Sequence, residues 1–280
     1  MSEKHIYEYN ISPNTAAERV VRMVGKNKRV LELGSGPGSV TRKISANNCN
    51  VTVLEIDLSA LEIVKSYCEN AYHCDLNKQD WRTTIPAIGN FETIVAADVF
   101  EHLYDPWNCL NQLHTLLADN GSLVVSLPHA GHAAVLACLY NSDFDYQSYG
   151  LLDKTHFRFF GLNNMQKLFE ETGFKIVDVD FIVTHPIKTE LSHQWARLPK
   201  TSKHTFLSGK FSHVYQVVIR AVPLESSGQA LNLTSSPIPN LEKLSITNHM
   251  RNNKIGGYLA SYMKPETRRK ITKFFRKFGL

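Results

Sequence analysis

The chain lacks what it would need to span a bilayer or to be knitted together covalently. No apolar run reaches the roughly 18–20 residues of a membrane-spanning helix. The opening MSEKHIYEYN has no apolar h-region, so no secretory signal is expected. There are only five cysteines (Cys49, Cys68, Cys74, Cys109 and Cys138), an odd and scattered set with no Cys-x-x-Cys pair. That argues against a disulfide scaffold and a zinc knuckle and fits a reducing compartment, so a cytoplasmic location is expected. Charged residues make up only 20%, whereas hydrophobic residues make up 43%, enough for a sizeable core and too many for a disordered chain. There is no internal repeat. The dinucleotide fingerprint Gly-x-Gly-x-x-Gly is also absent, because Ser39 stands where its third glycine belongs. A nicotinamide dehydrogenase is therefore disfavoured.

Positive charge is missing from most of the 280 residues. The net charge of +5 comes from residues 251–280, which carry nine basic side chains and the single acid Glu266. The rest of the chain stands at −3. A nucleic-acid footprint over the main domain has little support, and no nucleic-acid partner is expected.

What is present is an alternation of short apolar runs and helical patterns. Residues 29–34 (RVLELG), 51–56 (VTVLEI), 71–74, 91–97 (FETIVAA) and 121–127 (GSLVVSL) read as strands. Between them lie a helix running from the glycine turn through Ile44, another with Ser59 as its N-cap and Glu62 at capping-box spacing, and a third over 106–117. Strands alternating with helices predict a parallel sheet with crossover helices on its faces. Residues 128–160 then become rich in His, Tyr and Phe without clear period. A helix over 163–171, stopped by Gly173, is followed by strands at 175–183 and 214–222.

The strongest local signal is Glu32-Leu33-Gly34-Ser35-Gly36-Pro37-Gly38 at the exit of the first strand. Glycines there let backbone approach a ligand, and the following helix N-terminus favours an anionic group. An acid, Glu55, ends the second strand at about the spacing of a ribose-hydroxyl acceptor. Cys74-Asp75-Leu76 follows the third strand, and Asp98-Val99-Phe100-Glu101-His102-Leu103-Tyr104-Asp105-Pro106 the fourth.

In these ordered motifs, over roughly residues 15–222, the chain resembles class I S-adenosylmethionine-dependent methyltransferases. The block Leu152-Asp153-Lys154-Thr155-His156-Phe157-Arg158-Phe159-Phe160 is similar to one in bacterial small-molecule and glycan-associated methyltransferases. The Asp-x-x-Glu-His segment resembles the ubiquinone-pathway O-methyltransferases. The resemblance implies a doubly wound, mostly parallel, seven-stranded α/β sheet of Rossmann-like type, with a lid inserted between the fifth strand and the last strand pair. It implies S-adenosylmethionine as cofactor. Gly34, Gly36 and Gly38 would line its amino-acid part, Glu55 would take the ribose hydroxyls with Asp57 as fallback, Asp75 and Leu76 would meet the adenine, and Asp98 would lie near the sulfonium. Glu32 either joins this site or only holds the glycine loop through backbone N–H groups.

Hydroxyl acceptors need a proton acceptor, and neutral imidazole suits that work near pH 7. His102, beyond the fourth strand, and His156, in the aromatic segment, are the candidates. His129 and Arg158 are candidate substrate contacts, His129 being the more readily explained as structural. Asp98, Glu101 and His102 offer ligands to a hard cation, but no further oxygen ligands are evident and no metal is expected. The lid aromatics Tyr140, Phe144, Tyr146, Tyr149, Phe157, Phe159 and Phe160 are expected mostly to pack in the core.

The domain reading is thus a methyltransferase domain over 1–223, a polar linker over 224–248 and a basic amphipathic helical tail over 249–280. In the tail, Ile271, Phe274, Phe275 and Phe278 recur at helical spacing among basic residues, a pattern suited to peripheral contact with an anionic membrane. The expected reaction is methyl transfer to an oxygen of a small-molecule or cell-surface glycan acceptor. An RNA-modifying methyltransferase and a non-catalytic cofactor-binding partner subunit are the alternatives.

Overall fold

The computed structural model describes residues 15–239. The tail over 249–280 lies outside the described residues. Seven strands form one sheet: β1 (Arg29–Leu33), β2 (Asn50–Glu55), β3 (Asn70–His73), β4 (Phe91–Ala97), β5 (Leu117–Pro128), β6 (Phe174–Val183) and β7 (Val214–Pro223). Their order is β3-β2-β1-β4-β5-β7-β6, with β1 to β5 parallel and β7 antiparallel to both of its neighbours. The helices are α1 (Ala16–Val24), α2 (Ser39–Ala46), α3 (Leu58–Val64), α4 (Pro106–Leu113), α5 (Ala133–Tyr140), α6 (Leu162–Glu171), α7 (Ser192–Ala196) and α8 (Lys200–Leu207). This is the doubly wound, Rossmann-like arrangement expected.

The two-residue period of the strands divides the core. Leu31, Leu33, Ile94, Ala96, Leu123 and Val125 face one layer, where α4 contributes Leu110 and Leu113 and α6 contributes Met165, Leu168 and Phe169. Val30, Val95 and Val124 face the other, packed by Val20 and Val24 of α1, Val40 and Ile44 of α2, and Leu61 and Val64 of α3. Central strands buried on both faces read as continuous apolar runs, which is why they are visible in the sequence.

Three expectations need correction. The cap of α3 is Asp57, whose side chain accepts from the N–H of Ala60, and not Ser59. An ionised carboxylate at the N-terminus meets the helix dipole more favourably than a hydroxyl. The lid is built from two insertions, not one. Residues 184–213, between β6 and β7, add α7 and α8, and Trp195 and Leu198 pack with Ala133 and Ala137 of α5. Finally, residues 224–239, within the expected linker, lie against the sheet domain. Leu231 N–H donates to Ile176 O, Leu233 N–H donates to Gln166 Oε1, and Leu233 is fully buried. Isolated apolar residues in a polar stretch have no period from which that docking could be foreseen.

Candidate active site

Strand order reverses between β1 and β4, and the crevice beyond their carboxyl ends is where open α/β sheets bind ligands. The chain leaves β1 through Gly34, Gly36 and Gly38, at φ of +61°, +51° and +90°. Two of them differ instructively. A Cβ on Gly38 would meet Val64 Cγ2 at 2.8 Å, so that glycine is needed for packing against α3. A Cβ on Gly36 would meet nothing within 4 Å, so the loop there faces open space. Gly38 is also the N-cap of α2 and supplies no side-chain cap.

Glu55, at the end of β2, holds this loop. Its Oε2 accepts from Gly36 N–H at 2.7 Å, and its Oε1 accepts from Ile56 and Asp57 N–H at 2.8 and 2.9 Å. The residue is buried. A carboxylate has about four lone-pair positions, so three backbone bonds leave Oε2 with acceptor capacity toward the crevice. Glu32 makes a different kind of contact. Thr41 of α2 donates to its Oε2 at 2.6 Å, and burial, with Glu55 nearby, pushes its carboxyl up to about 8. Backbone anchoring of the loop thus falls to Glu55. Asp57 spends one oxygen on the α3 cap.

After β3, Asp75 is half-buried and closes a turn by accepting from Asn77 N–H, while Leu76 is buried in the core. After β4, Asp98 sits in the left-handed region at φ +56°, where a non-glycine residue is uncommon and often marks a functional site. Its Oδ1 accepts from Ser126 Oγ at 2.7 Å and from Gln216 Nε2 at 2.5 Å, and burial raises its carboxyl above the usual range. Sequence reading missed Ser126 and Gln216. Each is a polar residue inside an apolar strand that must be paired once buried, and that was the available signal.

The next turn brings the two candidate bases together. The rings of His102 and His156 stand edge to face, centroids 4.7 Å apart. The segment carrying His156 is fastened to this turn, because Phe157 and Arg158 N–H both donate to Glu101 O. His102 Nδ1 lies 3.2 Å from Thr155 O and 3.1 Å from Thr155 Oγ1. Glu101 is buried, and its Oε2 has no hydrogen-bond partner among the described residues. Burial, with Asp98 adding, raises its carboxyl well above the usual range. Potential ligand atoms of Glu101, His102 and His156 lie within 4.8 Å of one another, a grouping with room for a cation. His156, and not Asp98, completes that set; Asp98 is engaged by Ser126 and Gln216.

The two candidate substrate contacts are tied elsewhere. His129 is buried, its Nδ1 bonded to Val214 O, and burial lowers its basicity. It braces β5 against β7. The Arg158 guanidinium donates from Nε to Tyr104 O and lies over the Trp107 ring. It pins the lid and at the same time lines an open cavity of about 410 Å³ with Trp107, Phe157, Phe159 and Lys167. The lid aromatics depart from expectation. Phe160 is buried, but Tyr140, Tyr146, Tyr149, Phe157 and Phe159 are exposed, as is Tyr104. Of these, Phe159 stands edge-on to His156, centroids 6.2 Å apart, and Phe157 packs on Tyr104, whereas Tyr140 packs on Phe206 of α8.

Comparison with known proteins bears on the family and the fold. A family profile described as a methyltransferase domain matches residues 7–179. A ubiquinone biosynthesis O-methyltransferase of Coxiella burnetii is 24% identical over 173 residues, 59% of this chain and 71% of that protein. One from Azotobacter vinelandii is 22% identical over 147 residues, 50% of this chain and 61% of its own. Among solved structures, a Bacillus halodurans protein assigned as a methyltransferase superposes with a TM-score of 0.54 at 16% identity, covering 74% of this chain and 97% of its own. That similarity concerns the fold.

Proposed function

Because the chain belongs to the class I S-adenosylmethionine-dependent methyltransferases, we propose that it methylates an oxygen of a small molecule, with His102 as the proton acceptor. The residues present suit the cofactor. The Cβ direction of Gly36 opens onto free space, Glu55 Oε2 keeps acceptor capacity for a ribose hydroxyl, and Gly38, the N-cap of α2, puts no side chain at a helix N-terminus suited to a carboxylate. Asp75 and Leu76 would flank the adenine, and Asp98 the sulfonium end. Bound there, S-adenosylmethionine supplies a methyl group on a positively charged sulfur.

The chain's own share is alignment, exclusion of water and removal of a proton. Holding two reactants in line contributes roughly 7–11 kcal/mol in favourable cases. Ser126 and Gln216 fix the Asp98 carboxyl, which keeps its place in the crevice. The acceptor hydroxyl must lose its proton as its oxygen takes the methyl group, and the histidine pair follows β4 at the same sheet edge, with the exposed Phe159 ring 6.2 Å from His156. That juxtaposition is the observation on which the reading rests. The exposed Phe159 ring beside His156 favours a flat, phenol-like acceptor over a glycan, which would be the second substrate class to try.

The experiment is a methyl-transfer screen with S-adenosylmethionine labelled in its methyl group, against phenols, catechols, sugars, carboxylic acids and amines. The expected product is a methyl ether, lost in the His102→Gln variant. Methylated amines or carboxylates alone, or a fully active variant, would contradict the proposal. No helix among the described residues is long and apolar enough to cross a membrane. The basic residues after 250 support contact with an anionic bilayer surface, and full-length protein should co-sediment with anionic but not with neutral vesicles.

A further inference from the structure

The Asp153–Thr155 pair reaches His102 from a different part of the chain, and the direction of each hydrogen bond in it can be deduced. Thr155 O is a carbonyl and has no proton to give. It lies 3.2 Å from His102 Nδ1. A ring nitrogen facing a carbonyl oxygen at that distance is favourable only if the nitrogen carries the hydrogen. The hydroxyl of Thr155 points the same way. Asp153 is buried, and its Oδ1 accepts Thr155 N–H at 2.8 Å and the Thr155 hydroxyl proton at 2.7 Å. With its proton committed to the carboxylate, Thr155 Oγ1 presents lone pairs to His102 Nδ1 at 3.1 Å. Both oxygens of Thr155 are therefore acceptors for one N–H.

We propose that Asp153 and Thr155 are positioning residues that lock His102 in the Nδ1–H tautomer, making Nε2 the atom that takes the acceptor's proton. The orientation of a catalytic imidazole is commonly set by what its other nitrogen donates to. Here the setting runs through a hydroxyl and a main-chain carbonyl rather than directly through an acid. The titratable groups near the ring include Glu101, Asp98, Asp153 and His156. Of these, Asp153 acts through Thr155. The chain Asp153–Thr155 also crosses from the lid segment to the turn after β4, so a lid that is out of place leaves His102 without its orienting partner. Base orientation and lid placement are thus one event.

The catalytic consequence rests on the O-methyl transfer reading, while the tautomer does not, and the test separates the two. In the full-length protein labelled with ¹⁵N-histidine, the His102 signal is identified by its loss in His102→Gln, and its ring nitrogen shifts report the tautomer. The expected spectrum is that of the Nδ1–H form. In Thr155→Val the carbonyl remains but the hydroxyl is gone, and the ratio of the Nε2–H to the Nδ1–H form should rise roughly tenfold, the change one ordinary hydrogen bond makes to an equilibrium. Thr155→Ser should restore the wild-type spectrum. An Nε2–H spectrum in wild type, or a Thr155→Val spectrum identical to it, would overturn the inference. In kinetics with the acceptor found by the screen, Thr155→Val should lower kcat in proportion to the Nδ1–H population it loses, roughly twofold if that form falls from nine-tenths to half, with cofactor affinity unchanged, and Thr155→Ser should rescue it. A shifted tautomer with unchanged kcat would leave the positioning role standing and remove His102 as the base.

Discussion

The cofactor side and the acceptor side of the crevice are built from different materials. The first consists of backbone: three glycines at positive φ, with a carboxylate from the neighbouring strand gripping the loop through the N–H of Gly36. The second consists of side chains drawn from separate stretches, with His102, Thr155 and His156 meeting only because the lid folds over the turn after β4. Backbone geometry leaves a local mark, since only certain residues tolerate it. Convergence of side chains leaves none until the fold brings them together. The two sides should therefore fail in different ways when disturbed.

The sharpest division is expected from His102→Gln, which should lower kcat by about 10²–10⁴, the usual share of a proton acceptor. Its affinity for S-adenosylhomocysteine should not change. A parallel loss of cofactor affinity would show that the two sides are not separable.

Acid and base separate them next. Burial lowers His132, at the cap of α5, from 6.5 to about 4. Above pH 6.5 it is neutral in folded and unfolded chains alike. As pH falls from 6.5 toward 4 the unfolded chain takes the proton first, and stability is lost. The loss is roughly 3 kcal/mol at most, since each pH step between the two values contributes about 1.4 kcal/mol. Glu32, on the cofactor side, has the opposite sign. Its carboxyl is raised from 4.5 to about 8, so its contribution is intact below pH 4.5 and declines as pH rises to 8. Urea melts over pH 4–8 should show that His132→Asn flattens the acid-side decline and that Glu32→Gln removes a loss on the alkaline side. Identical pH curves for either variant and wild type would refute that assignment.

A smaller effect distinguishes two glycines of one loop. Both Gly36→Ala and Gly38→Ala incur about 1–2 kcal/mol for a side chain at positive φ. Gly38→Ala adds a 2.8 Å clash with Val64, so its thermal midpoint should fall further. Gly36→Ala should instead cost more in cofactor affinity than in stability, because its methyl group enters the open side of the loop. Equal midpoints would mean that α3 gives way at Val64.

The same contrast explains what could be read from the sequence. The sheet was legible because β1, β2, β4 and β5 are buried on both faces and so are continuously apolar. The glycine loop and Glu55 were legible because their spacing follows from one strand-turn-helix unit. The share of Glu55 in holding the loop was not, since its bond to Gly36 N–H appears only when β2 lies beside β1. Its removal should weaken the fold as well as the site. The exposed lid aromatics were misjudged because an aperiodic run of Tyr and Phe looks the same whether it faces a core or a crevice. Asp153, Thr155 and His156 stood out as polar groups among aromatics, but their link to His102 spans about fifty residues and has no local signature.

The most direct test is calorimetric titration of the full-length protein with S-adenosylhomocysteine, beside Glu55→Ala at a temperature where circular dichroism shows both to be folded. A single saturable site is expected in the wild type, with affinity at least about tenfold weaker in the variant, the loss of one charge-assisted hydrogen bond. Equal affinities, or no binding heat from the wild type, would contradict a cofactor berth built on the glycine loop and Glu55.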